Sequence, residues 1–183
     1  MTSDRVLTLN TSMTKTRCLL TFAFLFLVTT FSQATTVERL NLDGLVKKAH
    51  RIVVGKVRSS RTYWNGSGKL ILTSHTIDVE ETIKGAASST VEVTTIGGTI
   101  GNLTLHVAGM PAFAKNESAV VFVEESGAYS TVVGLGQGKF TVADDQVFNS
   151  VTDLEFPDGG GPSRPAKMPL STFKRQIRTF LDR

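Results

Sequence analysis

The sequence predicts a mainly-β (α+β) domain: a closed or partly open antiparallel β-barrel, with a short amphipathic helix before it and another at the C-terminus. Three observations carry this. From Ile52 onward, apolar and polar residues alternate with a period of two in successive segments. Glycine-rich turns punctuate those segments closely enough for some eight short strands. No helical stretch lies between one predicted strand and the next, which disfavours a parallel α/β sheet.

Ahead of the domain, residues 1–34 read as a cleaved signal peptide. Lys15 and Arg17 precede an apolar run from Cys18 to Phe31, and Ser32-Gln33-Ala34 supplies small residues at a cleavage site. Met13, just before the basic residues, is an alternative start. The run has about 14 residues, whereas crossing a bilayer takes roughly 20. Cleavage after Ala34 leaves one domain, 35–183, of about 149 residues, enough for a core without staples. The only cysteine, Cys18, departs with the leader, and it stands at the wrong end of the run for lipidation. The expected location is secreted or periplasmic. Processing also removes Asp4, Arg5, Lys15 and Arg17, so the net +4 of the full chain falls to about +2. Without a clustered basic face, nucleic acid is not an expected partner.

The elements follow in order. Leu42, Leu45, Val46 and Ala49 form the stripe of a short helix, with Asn41 as N-cap and Lys47, Lys48, His50 and Arg51 near its C-terminal end. Ile52–Val57 reads as a strand buried on both faces, bent or bulged at Gly55. Tyr63–Gly68 reads as a turn around Asn65-Gly66. A long strand then places Ile71, Thr73, His75, Ile77 and Val79 on one face and Ser74, Thr76, Asp78 and Glu80 on the other. Further strands are predicted at Val91–Thr95 and Leu103–Val107. Ala119–Val123 is a candidate central strand. Tyr129–Leu135 follows it, and Phe140 to Phe148 forms a hairpin through Asp144-Asp145. Residues 157–169 are glycine- and proline-rich and predict an extended loop. Residues 170–183 regain a helical period, with Phe173, Ile177, Phe180 and Leu181 as the apolar stripe and Ser171 as cap. Lys174, Arg175 and Arg178 fall on its outer face.

No catalytic or metal-binding constellation emerges, so no enzyme activity, metal or cofactor is expected. His50, His75 and His106 lack metal-ligand spacing, and His75 reads as a packed strand residue. Gly97-Gly98-Thr99-Ile100-Gly101 resembles a phosphate loop in composition only, because strand residues rather than a helix follow it. No serine stands beside a plausible base in the sequence. Three N-x-S/T tripeptides start at Asn65, Asn102 and Asn116. Two stretches stand out as binding candidates. Tyr63 and Trp64 place aromatics beside a glycine turn, a common anchor for partners. Gly136, Gln137, Gly138 and Lys139 lie where alternating glycines (Gly134, Gly136, Gly138) would bare one strand face for close packing or a ligand.

The layout of Leu45–Gly85 resembles the opening of netrin-like domains, the group that includes tissue inhibitors of metalloproteinases. The resemblance rests on Leu45-Val46-Lys47-Lys48-Ala49, Ile52-Val53-Val54-Gly55-Lys56-Val57, Thr76-Ile77-Asp78-Val79-Glu80 and Ile83-Lys84-Gly85. Gly136-Gln137-Gly138-Lys139-Phe140 is similar to a stretch of uncharacterised exported bacterial proteins. The resemblance implies an OB-like barrel and a role in binding proteins. The inhibitors depend on disulfides and an N-terminal cysteine, which a chain starting at Thr35 lacks, so no inhibitory residue is carried over. The expected function is an exported, non-catalytic binding module whose partner is another exported protein. Two alternatives remain. One is an envelope-associated structural protein contacting an anionic membrane surface through Lys174, Arg175 and Arg178. The other is an enzyme with a dispersed site drawing on His75, His106 and the carboxylates of the long strand.

Overall fold

Two strands of fourteen residues each, β1 (Arg51–Trp64) and β2 (Ile71–Lys84), make the longest hairpin of the fold. The computed structural model describes residues 38–149, 156 and 167–183, all within the unit Thr35–Arg183. The expected leader at 1–34, and residues 157–166 of the expected loop, lie outside the described residues. Helix α1 (Leu42–Lys48) precedes β1. After β2 come β3 (Thr90–Ile96), β4 (Gly98–Ile100), β5 (Leu103–Leu105), β6 (Ser118–Ser126) and β7 (Tyr129–Val132). A 3-10 turn (Leu135–Gly138) leads to β8 (Lys139–Ala143), β9 (Gln146–Phe148), β10 (Met168–Pro169) and helix α2 (Leu170–Leu181).

Every described pairing is antiparallel. The main sheet runs β10-β9-β8-β6-β1-β2-β3, β7 also pairs with β6, and β4–β5 is a separate small hairpin. One edge of β6 pairs with β1. Its other edge is shared, with Ser118–Val121 on β8 and Val123–Ser126 on β7. Among the described residues the hydrogen-bonded ladder does not close into a barrel. β3 and β7 lie side by side, with Cα atoms within 8 Å, but no ladder joins them. A cleft of about 300 Å³ lies there instead, lined by Thr95, Ile96, Met110, Pro111, Val132 and Leu135 among others.

The continuous apolar runs of β1 and β6 have a simple cause: both strands are buried on both faces. On one face Ile52, Val54, Val120 and Phe122 join Leu45 and Val46 of α1 and Phe173 and Ile177 of α2. On the other, Val53, Ala119, Val121 and Val123 meet Ile77, Val91, Val93 and Val132. Each fully buried Val, Ile or Phe side chain stabilises the fold by about 1.5–3 kcal/mol. The Phe140 ring lies 4.6 Å from that of Phe173, centroid to centroid, and so ties α2 to the sheet. Gly55 marks the bend in β1. The register shifts between Val54 and Gly55, and a Cβ at Gly55 would lie 2.2 Å from the Asp78 carbonyl oxygen.

Helix α1 is capped locally at its start and by a distant lysine at its end. Asn41 Oδ1 accepts the Gly44 N–H at 2.8 Å, and the Lys84 ammonium donates to the carbonyls of Val46 and Ala49 at 2.7 and 2.6 Å. Ser171 does not cap α2. The N-cap is Pro169, two residues earlier, directly where β10 pairs with β9, and the Leu170 N–H donates to the Asp145 carbonyl at 2.9 Å. The β8–β9 turn puts both Asp144 (φ 51°) and Asp145 (φ 58°) in the left-handed region, as a two-residue hairpin turn requires.

Candidate functional site

Tyr63 and Trp64 sit at the far end of β1, opposite Leu72 and Ile71 respectively, and not in the predicted turn. The turn is shorter than expected because Asn65 Oδ1 gathers the N–H groups of Lys69 (2.9 Å) and Leu70 (3.0 Å), and the Asn65 N–H donates to the Leu70 carbonyl at 2.9 Å. Pairing with β2 therefore continues through Trp64. Pairing with β6 stops at Lys56, so in the last part of the hairpin, its arm, β1 is an edge strand while β2 stays paired with β3 from Leu72 to Asp78. Trp64 and Leu70, at 42% and 41% exposure, flank its tip. Strand alternation puts Tyr63 and Trp64 on opposite faces. The Arg61 guanidinium lies 5.2 Å from the Tyr63 ring centroid, on Tyr63's side.

The glycine stretch forms no strand. Gly134 (φ 61°) and Leu135 (φ 60°) turn the chain left-handed into the 3-10 turn. Bare strand backbone is therefore absent there, and the stretch is filled by packing. A Cβ at Gly138 would lie 2.7 Å from the Val133 carbonyl oxygen. Gln137 is buried, and its Oε1 accepts the Leu40 N–H at 2.9 Å while its Nε2 donates to the Glu38 carbonyl at 3.0 Å. Asn149 Nδ2 donates to the Gly136 and Gln137 carbonyls at 3.2 and 2.8 Å. Lys139 is buried in an ion pair with Glu117, and Thr141 donates to the same carboxylate oxygen at 2.5 Å. Burial pushes the Glu117 carboxyl up. Hydrogen bonds from Lys139, Thr141 and the Ala114 N–H, with the Lys139 charge, outweigh that and hold it below its usual range. Among the described residues no hydrogen bond, ion pair or ring contact links this stretch to Tyr63 or Trp64.

A third group was not legible as a cluster in the sequence. Ser60 stands opposite His75 in the β1–β2 register, and its Oγ lies 2.7 Å from His75 Nδ1. Thr95 Oγ1 lies 3.0 Å from His75 Nε2. Phe113 stacks on the imidazole with centroids 4.5 Å apart, and Lys139 Nζ lies 5.5 Å from the Phe113 centroid. Burial, then the Lys139 charge, lowers the His75 pKa from 6.5 to about 4. At neutral pH the ring is therefore uncharged, with a hydroxyl at each nitrogen. Only the strand register, which sequence reading does not fix, could have revealed the Ser60–His75 pair.

The remaining sequence candidates disperse. His106 is exposed, although it shares with His75 the lining of a cavity of about 250 Å³. Asp78 pairs with Arg58, and Glu81 binds Lys174 (2.8 Å) and Arg178 (2.6 Å) of α2. Asp78 and Glu81 thus serve other partners than His75. Among the described residues no group of three or more His, Cys, Asp or Glu side chains is placed to hold a metal ion. Among them, too, no helix is long and apolar enough to cross a membrane. No protein-family model, curated protein or solved structure matches this chain.

Proposed function

We propose that this chain is an exported, non-catalytic protein-binding module, and that its contact surface is the arm of the β1–β2 hairpin, where β1 forms a sheet edge. The observation that carries this is the half-exposed pair Trp64 and Leu70 at the tip of a hairpin whose β1 edge is unpaired beyond Val57 among the described residues. A rigid aromatic on a strand offers apolar area at low entropic cost. Export rests on the leader pattern of residues 1–34. We read the sheet as a partly open OB-like barrel, in keeping with the netrin-like resemblance; the closeness of β3 to β7 supports this.

Capture of partners by the mature chain from culture medium or envelope extract tests the contact surface. Trp64→Ala is expected to abolish capture of any partner that the wild type retains, while leaving the fold intact. Equal capture by the variant would remove the arm from the reading. The address is tested separately by N-terminal sequencing of protein recovered from expressing cells, with Thr35 the expected first residue.

One observation favours an enzyme instead, the Ser60–His75 hydrogen bond. Against it stand the lowered His75 pKa, which makes a weak base at neutral pH, and a hydroxyl where a carboxylate would orient the ring. A fluorophosphonate probe is expected to leave Ser60 unlabelled. The membrane-surface alternative weakens for a similar reason, since Lys174 and Arg178 already bind Glu81.

A further inference from the structure

The free edge of β1 defines the kind of partner the arm can take. The ladder between β1 and β6 runs from Arg51↔Val123 to Lys56↔Ser118, and two further bonds join Val57 to Asn116 and Glu117. Beyond Val57, β1 pairs only with β2 among the described residues. In an antiparallel ladder alternate residues point N–H and C=O outward, so this edge holds a row of backbone groups open to another strand. A register shift between Val57 and Ser59 falls where the free edge begins.

The two faces of the edge differ in chemistry. Ser60 and Thr62 bond His75 and Thr73 on one face, and Trp64 continues that face opposite Ile71. Arg61 and Tyr63 lie on the other, opposite Ser74 and Leu72. Arg58 is neutralised by Asp78, whereas Arg61 is exposed and lies against the Tyr63 ring, with no ion pair among the described residues. We propose that the partner is bound as an added antiparallel or parallel β-strand along Arg58–Trp64, with acidic side chains on the face of Arg61 and Tyr63 and apolar ones on the face of Trp64. The proposal rests on the arm being the binding surface. Backbone bonds would supply affinity and the two faces selectivity. A second copy of this chain fits less well, because antiparallel pairing of two such edges about their midpoint sets Arg61 against Arg61.

Trp64 is the only tryptophan of the chain, so its emission reports the edge directly. The probe is an alternating Val–Glu peptide long enough to match Arg58–Trp64, titrated into the mature protein. Binding with a shift in Trp64 emission is expected, with roughly tenfold or greater weakening in Arg61→Glu. An alternating Val–Lys peptide should show the reverse preference, binding Arg61→Glu better than wild type. Methylating alternate backbone nitrogens of the Val–Glu peptide should remove binding. Circular dichroism of Arg61→Glu is expected to match wild type. Binding that survives methylation, or that ignores the sign of the charge, overturns strand addition. So does concentration-dependent dimerisation that competes with the peptide. If the peptides fail while Trp64→Ala still abolishes partner capture, this proposal falls and the binding surface stands. If Trp64→Ala leaves capture intact, the binding surface itself falls.

Discussion

Gln137 holds Leu40 by its backbone: the side-chain carbonyl accepts the Leu40 N–H at 2.9 Å. The same amide donates to the Glu38 carbonyl at 3.0 Å and the Gly134 carbonyl at 3.1 Å, so one buried side chain ties the start of the described chain to the 3-10 turn. Gln137→Ala leaves these backbone groups without their partner. The expected loss is about 1–3 kcal/mol, read as a lower denaturant midpoint at unchanged slope. Gln137→Glu should do no better, because it sets a carboxylate against two carbonyl oxygens. A Gln137→Glu protein as stable as wild type would show that the clasp is not needed.

Stability should fall with acid. The folded His75 ring takes up a proton only near pH 4, while in the unfolded chain it does so near its ordinary 6.5. Between these values the unfolded state binds more protons, so stability is full above 6.5 and declines as pH falls toward 4. The decline is at most about 3 kcal/mol for this group. Glu117 acts in the same direction at lower pH. Its folded pKa lies below 4.5, so its contribution is present above that value and lost as pH falls further. His75→Gln should flatten the pH dependence between 6.5 and 4 when denaturant midpoints are compared. An unchanged slope in that variant would assign the decline elsewhere.

Much of this fold was legible because it depends on side-chain period. The alternation around Ile77, the two-faced burial of Val53 and Val121, and the Asn41 cap all follow from local pattern. Where the reading failed, a longer-range bond decided. Nothing near Gln137 announces that its partners are Glu38 and Leu40. The glycines beside it suggested strand, but Gly134 and Leu135 use the left-handed region that glycine makes accessible. For the candidate surface, the sequence picked out Tyr63 and Trp64 but placed them in the turn. It could not show that β6 abandons β1 after Lys56, which is what frees the edge. The Ser60–His75 pair is a consequence of register, and register is set by bulges that leave only a weak trace in composition.

The Lys139–Glu117 pair should be costly to break and cheap to replace. Both side chains are nearly shut off from water, at 6% and 14% exposure. Lys139→Met alone leaves a buried carboxylate with only Thr141 and the Ala114 N–H, and Glu117→Leu alone leaves a buried ammonium. Each single change is expected to cost about 3–5 kcal/mol, whereas the double variant should recover most of that loss. Urea denaturation of the four proteins gives the coupling energy. Additive losses would mean that the two charges do not depend on each other.

Three glycines should rank by what a methyl group would meet. At Gly55 the added Cβ would lie 2.2 Å from the Asp78 carbonyl oxygen, across the paired strand and at a register shift. Accommodating it means parting β1 from β2, so Gly55→Ala should be the most damaging, at about 3 kcal/mol or more. At Gly138 the nearest atom is the Val133 carbonyl oxygen at 2.7 Å, with the Phe122 Cβ at 3.2 Å. That turn can shift a little, so a loss of about 1–3 kcal/mol is expected. Nothing lies within 4 Å of a Cβ at Gly66, in the exposed β1–β2 turn. Gly66→Ala should change stability by less than about 1 kcal/mol, since it only restricts the unfolded chain. Thermal or urea midpoints for the three variants measure the order. A Gly66 variant less stable than the Gly55 variant would mean that the strand bend at Gly55 is not set by its close approach to Asp78.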